Sequence, residues 1–217
     1  MDSSTTVVSS AVAALVAGSA VAGITPGTMV RAIPSSGEGT AITRMDPAAG
    51  PGTYASDLDG TPFAGRGAAQ LVWGASTVSF TGLASGGADA TLRTQGIAIV
   101  DVAAASQFSI NWNLSQAMGV GVEASWGLID LAGGSDPTYG VAFDDGAGTA
   151  YGGVGTTASG SFVGAIAAGT YMLVMLADAS AVAGSIGFSA SFTAVPAPGV
   201  FALLALAGVL GTRRRLR

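Results

Sequence analysis

The sequence predicts an all-β fold in which two antiparallel sheets pack face to face, followed by a short hydrophobic helix at the C-terminus. Apolar and polar residues alternate with a period of two in several short stretches, which is typical of strands that bury one face. The 34 glycines supply many turns. Lysine is absent and glutamate occurs only as Glu38 and Glu123, so the residues that usually fill long surface helices are scarce.

The clearest strand is the run QFSINWNLS at 107–115, whose aromatic and aliphatic residues fall on one face while serine and asparagine fall on the other. The runs at 185–192 and 122–128 show the same separation. Residues 171–176 are apolar on both faces, which is typical of a central strand. With several shorter runs, these patterns predict eight or nine strands between residues 70 and 193.

Strands with one apolar and one polar face are typical of a β-sandwich, and we expect a jelly-roll or immunoglobulin-like arrangement. Residues 90–103 form a longer strand in which the alternation changes phase near Gly96. A glycine at such a point predicts a β-bulge.

The chain divides into four segments. Residues 1–23 are weakly apolar and contain the Ala-x-Ala pattern of a signal cleavage site, but Asp2 stands where a signal peptide carries positive charge. We interpret them as a signal-like or truncated signal segment, with a first strand of the domain as the alternative. Residues 24–65 contain five prolines and are expected to form an irregular lead-in with one or two strands. Residues 66–194 are the sandwich body, and 195–217 are a tail.

The composition excludes several chemistries. With no cysteine, histidine or lysine, the chain cannot form zinc sites of the Cys/His kind, Cys nucleophiles, Ser-His-Asp triads or Schiff bases. The residues before the terminal arginine cluster hold four arginines against all thirteen acidic residues, a formal charge of −9, which disfavours nucleic acid as a partner. No second carboxyl can be paired with Glu123 from sequence, so a glycosidase is disfavoured and no enzymatic activity is expected.

Two kinds of side chain are candidates for binding a ligand. Acidic residues in Gly-rich turns offer oxygen ligands to Ca²⁺, although Asp-Gly is also an ordinary turn dipeptide. The weak calcium candidates are Asp57, Asp59, Asp144 and Asp145, with Asp130 and Asp136 as a weaker version. Apart from Ca²⁺, no cofactor is expected. Trp112 and Trp126 suggest carbohydrate stacking, but each lies on the apolar face of its strand, so core packing is the stronger interpretation.

The tail has three features that follow one another along the chain. Its first residues contain two prolines, which cannot continue a central strand; these residues are Val195, Pro196, Ala197, Pro198 and Gly199. An apolar helix is expected over 199–212. The chain then ends in the stop-transfer charges Arg213, Arg214, Arg215 and Arg217, which place the body outside and the C-terminus in the cytoplasm. A buried helix of a soluble protein is the alternative, but no polar residue interrupts any face of the run.

Pro-x-Pro, a short apolar helix and a terminal arginine cluster, in this order, resemble the PEP-CTERM sorting signal of exported bacterial surface proteins. Ala197 stands where that family has glutamate, so the tail is a VPAPG variant. The resemblance implies a membrane-anchored stage through the C-terminal helix and recognition by an exosortase-type processing enzyme. It also implies final placement at the cell surface or in the extracellular matrix, together with exopolysaccharide.

The function expected from the sequence is therefore that of a non-enzymatic, exported cell-surface or extracellular-matrix protein associated with exopolysaccharide. A carbohydrate-binding β-sandwich module is the alternative. An exposed aromatic strip on one sheet would favour the binding module, whereas a smooth face of serine, threonine and asparagine would favour the structural role.

Overall fold

A computed structural model describes residues 25–196 apart from 35–40, 60–64, 86–89, 119–121, 135, 145–146 and 180–184. The described residues form thirteen strands: β1 (Gly27–Pro34), β2 (Ile42–Pro47), β3 (Gly52–Leu58), β4 (Arg66–Trp73), β5 (Thr77–Ser85), β6 (Ala90–Val102), β7 (Ser106–Met118), β8 (Val122–Asp130), β9 (Tyr139–Asp144), β10 (Ala147–Tyr151), β11 (Ser159–Ile166), β12 (Gly169–Ala179) and β13 (Ser185–Pro196).

The strands belong to two antiparallel sheets. The seven-stranded sheet has the order β10-β9-β8-β12-β6-β1-β2, and the six-stranded sheet has the order β11-β7-β13-β5-β4-β3. The all-β class and the two packed antiparallel sheets are thus confirmed. The predicted C-terminal helix lies outside the described residues.

The main core lies between the sheets and is built from the inward residues of nearly every strand. Phe108, Ile110 and Trp112 are at most 4% exposed, so the predicted apolar face of β7 is confirmed. Trp112 of the six-stranded sheet meets Trp126 of the seven-stranded sheet with ring centroids 5.8 Å apart. Both indoles therefore lie in the core, as the alternation predicted.

The central strand of the seven-stranded sheet, β12, is apolar on both faces, as predicted for 171–176. Its inward residues join the main core, while Met172 and Val174 pack with Ile129 in a second cluster on the outer face. These three outward side chains are at most 5% exposed. This sheet consequently buries apolar residues on both of its sides.

The expected bulge at Gly96 is not found. The register of β6 runs without a shift past this residue against both of its neighbours, β1 and β12. A Cβ at Gly96 would lie 2.4 Å from Cδ2 of Phe80 in the opposite sheet. The glycine therefore makes room for a core aromatic ring instead of bending the strand.

The described part of residues 24–65 forms three strands, where one or two were expected in an irregular lead-in. Pro34 and Pro47 are the last residues of β1 and β2, and Pro51 directly precedes β3. Proline is tolerated at strand ends because no ladder hydrogen bond from its nitrogen is needed there. These prolines delimit the strands and do not prevent them.

Candidate functional site

The outer face of the six-stranded sheet carries a set of uncharged polar side chains on four neighbouring strands, β11, β7, β13 and β5. We call this set the polar face. Its side chains point away from the core because they alternate with buried residues along each strand. The members are Ser159, Ser161, Asn111, Asn113, Ser189, Ser191, Ser79 and Thr81.

The strand register arranges the polar face in two rows that cross the strands. The first row is Ser161, Asn111, Ser191 and Ser79, and the second is Ser159, Asn113, Ser189 and Thr81. Neighbouring strands lie about 4.8 Å apart, so each row presents one hydroxyl or amide group per strand at that spacing. The hydroxyl oxygens of Ser79 and Ser191 are 3.4 Å apart and share a hydrogen bond within the first row.

A shallow, open depression of about 270 Å³ lies on the polar face, over β7, β13 and β5. Its lining contains the polar residues of these three strands together with Phe80, Trp112 and Ala190, which alternate with them. Since the depression is open, a ligand lying in it would be contacted from one side only.

Charge is nearly absent from the outer side of this sheet. Among the described residues, its outward charged side chains are Asp57 on β3 and Arg66 at the start of β4, both outside the polar face. No aromatic ring of the described residues points outward here either, because Trp112, Trp73 and Tyr54 lie on the core side of their strands. Hydrogen bonding is therefore the main interaction that the polar face offers.

The outer face of the seven-stranded sheet has a different chemistry. Its register aligns acidic residues of three strands with basic residues of two, in the order Asp144, Glu123, Asp178, Arg93 and Arg31. We call this the charged row. Arg93 donates hydrogen bonds from Nε and Nη2 to Oδ2 of Asp178, at 2.8 and 2.6 Å. Burial raises the pKa of Asp178, and the charge and hydrogen bonds of Arg93 only partly oppose that rise.

The fold places two carboxyls beside Glu123 that the sequence could not pair with it, because Asp178 and Asp144 lie directly opposite it on the two neighbouring strands. A glycoside hydrolase needs two carboxyls that flank the same scissile bond. Asp178, however, is only 5% exposed and is engaged by Arg93. The carboxyl of Asp178 is therefore shielded from a substrate.

The calcium candidates do not converge on one site. Asp57 lies on β3, and Asp59 just beyond it is 3.8 Å from Nε of Arg66. Asp144 belongs to the charged row, and Asp145 lies outside the described residues. Among the residues that the structure describes, no group of three or more acidic side chains is placed to hold a metal ion.

Of the two weaker calcium candidates, Asp130 and Asp136, the first has a structural role. Oδ1 of Asp130 accepts a hydrogen bond from the backbone nitrogen of Ala132 at 2.9 Å, and the Asp130 carbonyl accepts one from Gly133 at 3.1 Å. Such bonds are typical of an aspartate that closes a turn. Asp136 is exposed.

The predicted tail begins inside the sheet. β13 runs two residues into it, with Val195 opposite Gln107 and Pro196 opposite Ser106 on β7. Pro196 is the last residue of the strand and also the last residue that the structure describes. The rest of the tail, including Ala197, Pro198, Gly199 and all four terminal arginines, lies outside the described residues. In the described part of the chain, no helix is long and apolar enough to cross a bilayer.

The alternation of residues predicts β7 and β13 of the polar face but not the face itself. Asn111 and Asn113 were assigned to the polar side of β7, yet their row partners come from strands that are distant in the chain. The sequence does indicate such a face through its composition. The polar positions of 77–81, 107–115, 159–161 and 185–193 include no charged residue, which is unusual for a solvated sheet face.

No protein-family model and no curated protein sequence matches this chain. Among solved structures, it is similar to the carbohydrate-binding module TmCBM61 in complex with β-1,4-galactotriose, with 13% identity over 67% of this chain and 88% of that one and a TM-score of 0.28. It is also similar to the enzymatically active domain of tailspike protein 4 from bacteriophage CBA120, with 11% identity over 78% of this chain and a TM-score of 0.32. The likeness spans 19% of the tailspike chain. Because both TM-scores are low, neither likeness identifies a function.

Proposed function

We propose that this chain is a non-enzymatic, exported cell-surface or extracellular-matrix protein whose polar face lies against neutral polysaccharide. The observation that carries the proposal is the pair of uncharged hydroxyl and amide rows across four strands. Serine, threonine and asparagine side chains both donate and accept hydrogen bonds, as the hydroxyl groups of sugars do. The strand spacing of about 4.8 Å is close to the length of one sugar ring, so an extended glycan can follow a row.

The chemistry of the face also specifies the kind of glycan and the strength of binding. With no cation on the polar face, an acidic polysaccharide would gain no ionic contact, so a neutral one is the better ligand. Without aromatic rings for stacking, each sugar contributes little, and affinity depends on many weak contacts along one polymer. This favours the structural role over a compact sugar-binding site.

Export and sorting belong to the same proposal. The tail supports it through its PEP-CTERM-like order of prolines, apolar run and arginines, which would hold the chain in the membrane until an exosortase-type enzyme processes it. A reporter fused in front of residues 195–217 should stay on membranes in a host without that enzyme. Changing Arg213, Arg214, Arg215 and Arg217 to Ser should weaken retention, because these charges hold the C-terminus in the cytoplasm. Full release of the unaltered fusion from membranes would contradict the anchor.

The polar face is tested by co-sedimentation of the full chain, kept in a mild detergent, with insoluble neutral and acidic polysaccharides. The double variant Asn111→Ala/Asn113→Ala removes two amides from neighbouring positions of both rows and should lower the retained fraction several-fold. The matched control, Thr43→Ala/Thr149→Ala, removes two exposed polar groups from edge strands of the other sheet and should bind like the wild type. Equal loss in both variants, or retention only by acidic polymers, would contradict the proposal.

A carbohydrate-binding module is the second candidate, and the depression over β7, β13 and β5 favours it. A short neutral oligosaccharide distinguishes the two. Saturable binding of one oligosaccharide per chain, lost in the asparagine variant, would indicate a module with a defined subsite. Binding to the polymer without measurable oligosaccharide binding is the result expected of a matrix protein.

A further inference from the structure

The four edge strands of the sandwich differ in their protection against pairing with another strand. The edges are β10 and β2 in the seven-stranded sheet, and β11 and β3 in the six-stranded sheet. β2 carries Arg44 and Asp46 and ends in Pro47, β3 carries Asp57, and β10 is only five residues long. Charge, proline and short length are the devices by which proteins block edge pairing. β11 has none of them.

β11 has the sequence SGSFVGAI, eight residues without a charge or a proline. Its register against β7 is continuous, so no bulge twists the edge away. Val163 near its middle is 64% exposed, the highest value among the large apolar side chains that the structure describes. A long, uncharged edge with an exposed apolar residue is a site where a further strand can add.

The hydrogen-bond pattern shows which backbone groups of β11 point outward. Leu114 on β7 donates its N–H to the carbonyl of Ala158, one residue before β11, at 2.8 Å. Because inward and outward groups alternate along an antiparallel strand, the even-numbered residues of β11 face β7 and the odd-numbered ones face outward.

Two of the outward carbonyls already have partners. Those of Ser159 and Ala165 accept hydrogen bonds from the hydroxyls of Thr157 and Tyr139, at 2.7 and 2.9 Å. Between them lie Ser161 and Val163, whose outward N–H and C=O groups have no partner among the described residues. The open part of the edge is thus two alternate residues with four unused hydrogen-bonding groups.

We propose that β11 pairs antiparallel with β11 of a second copy of this chain, about a two-fold axis. In this register Ser161 of each copy lies opposite Val163 of the other, and all four open groups form hydrogen bonds between the copies. An isologous contact of this kind needs only one self-complementary edge. An uncharged edge fits another uncharged edge, whereas β2 or β3 of a neighbour would set charged side chains beside Val163.

The consequence is a continuous sheet of twelve strands. Since β11 borders the polar face, the two polar faces meet at the axis on the same side of the joined sheet, with Ser161 of each copy beside Val163 of the other. Self-association thereby doubles the length of the uncharged surface. This inference goes beyond the proposed function and does not depend on the identity of the glycan.

Disulfide trapping tests the pairing and its register, because the chain has no cysteine of its own. Full chains carrying only Ser161→Cys are mixed with full chains carrying only Val163→Cys in mild detergent and oxidised. The proposed register brings these two positions to a Cα separation of about 5.5 Å, which suits a disulfide. Identical positions are offset by two residues along the strand, so the mixed dimer should dominate over both like dimers. Equal yields of the three dimers, or no cross-link, would overturn the proposal.

Sedimentation velocity of the full chain in detergent provides a second test with matched variants. Val163→Lys puts a charge on the open edge and should shift the chain from dimer to monomer. Val72→Lys makes the same change on the outer face of β4, which is paired on both sides, and should leave the dimer intact. Ser161→Pro removes an outward N–H without removing a bond to β7 and should also give monomers. If both edge variants sediment as the wild type, or if Val72→Lys dissociates the dimer equally, the proposal is wrong.

Discussion

The central strands of the two sheets turn opposite kinds of residue to the outside. β13 in the six-stranded sheet exposes Ser189 and Ser191, whereas β12 in the seven-stranded sheet turns Met172 and Val174 outward, where they are nevertheless buried. Both strands complete the core with their inward residues. The core therefore determines one face of each strand only, and the other face is free to become a polar surface in one sheet and a packed, charge-paired layer in the other.

The largest expected effect on stability comes from breaking the charged row. Arg93→Met leaves Asp178 buried without its counterion, and breaking a buried pair in this way costs about 3–5 kcal/mol of unfolding free energy. The variant should regain stability in acid. A carboxyl whose folded pKa is raised contributes stability below its ordinary pKa and loses it as the pH rises through the raised value.

Urea unfolding at neutral and acid pH measures both parts of this prediction. The control is the double variant Arg93→Met/Asp178→Asn, which has no carboxyl at this position and should lack the recovery in acid. If Arg93→Met is as stable as the wild type at neutral pH, the charged row does not contribute to the packing of this sheet.

The next effect compares the two central strands directly. Met172→Ala removes a side chain that is 1% exposed and should cost about 2–5 kcal/mol, as large-to-small changes in a core do. Ser189→Ala, on the outer side of β13, should change stability by less than about 0.5 kcal/mol. Thermal or urea unfolding of both variants measures the difference. If the two variants lose similar amounts of unfolding free energy, the outer faces of the two sheets are packed equally closely.

The smallest effect concerns the two tryptophans that meet in the core. Nε1 of Trp112 donates a hydrogen bond to the carbonyl of Thr157 at 2.9 Å, whereas the buried Nε1 of Trp126 has no partner among the described residues. Trp112→Phe should therefore be more destabilising than Trp126→Phe, by about 1 kcal/mol, because only the first loses a hydrogen bond. Unfolding titrations of the two variants, each against the wild type, decide the order. The reverse order would show that Trp126 has an interaction that its geometry does not reveal.

Much of the fold follows from the alternation of residues within single strands. The run at 107–115 predicted both the strand β7 and its buried face, because period two is a local property of the chain. The first strands were underestimated, since Pro34 and Pro47 were expected to interrupt structure and instead end β1 and β2. Gly96 was assigned to a bulge because the ring that needs its space comes from another sheet.

The candidate surface was less predictable than the strands. Both rows of the polar face, like the charged row, exist only after distant strands pair in register, and no single stretch of sequence contains the pairing of Asn111 with Ser191. The charge-free composition of these positions is visible in the sequence, but their assembly into one surface is not. The turn role of Asp130 could not be separated from metal binding, because an aspartate in a Gly-rich turn suits either role.

The position of the last strand has a consequence for how the molecule is completed. β13 lies inside the six-stranded sheet, between β7 and β5, although it is the final strand along the chain. A chain that emerges from its N-terminus onwards must therefore hold β5 and β7 apart, each with an unsatisfied side, until residues 185–196 arrive. Such long-range pairing is slow to form. Any product cut short before Ser185 would keep two open interior edges and should be prone to aggregation and proteolysis.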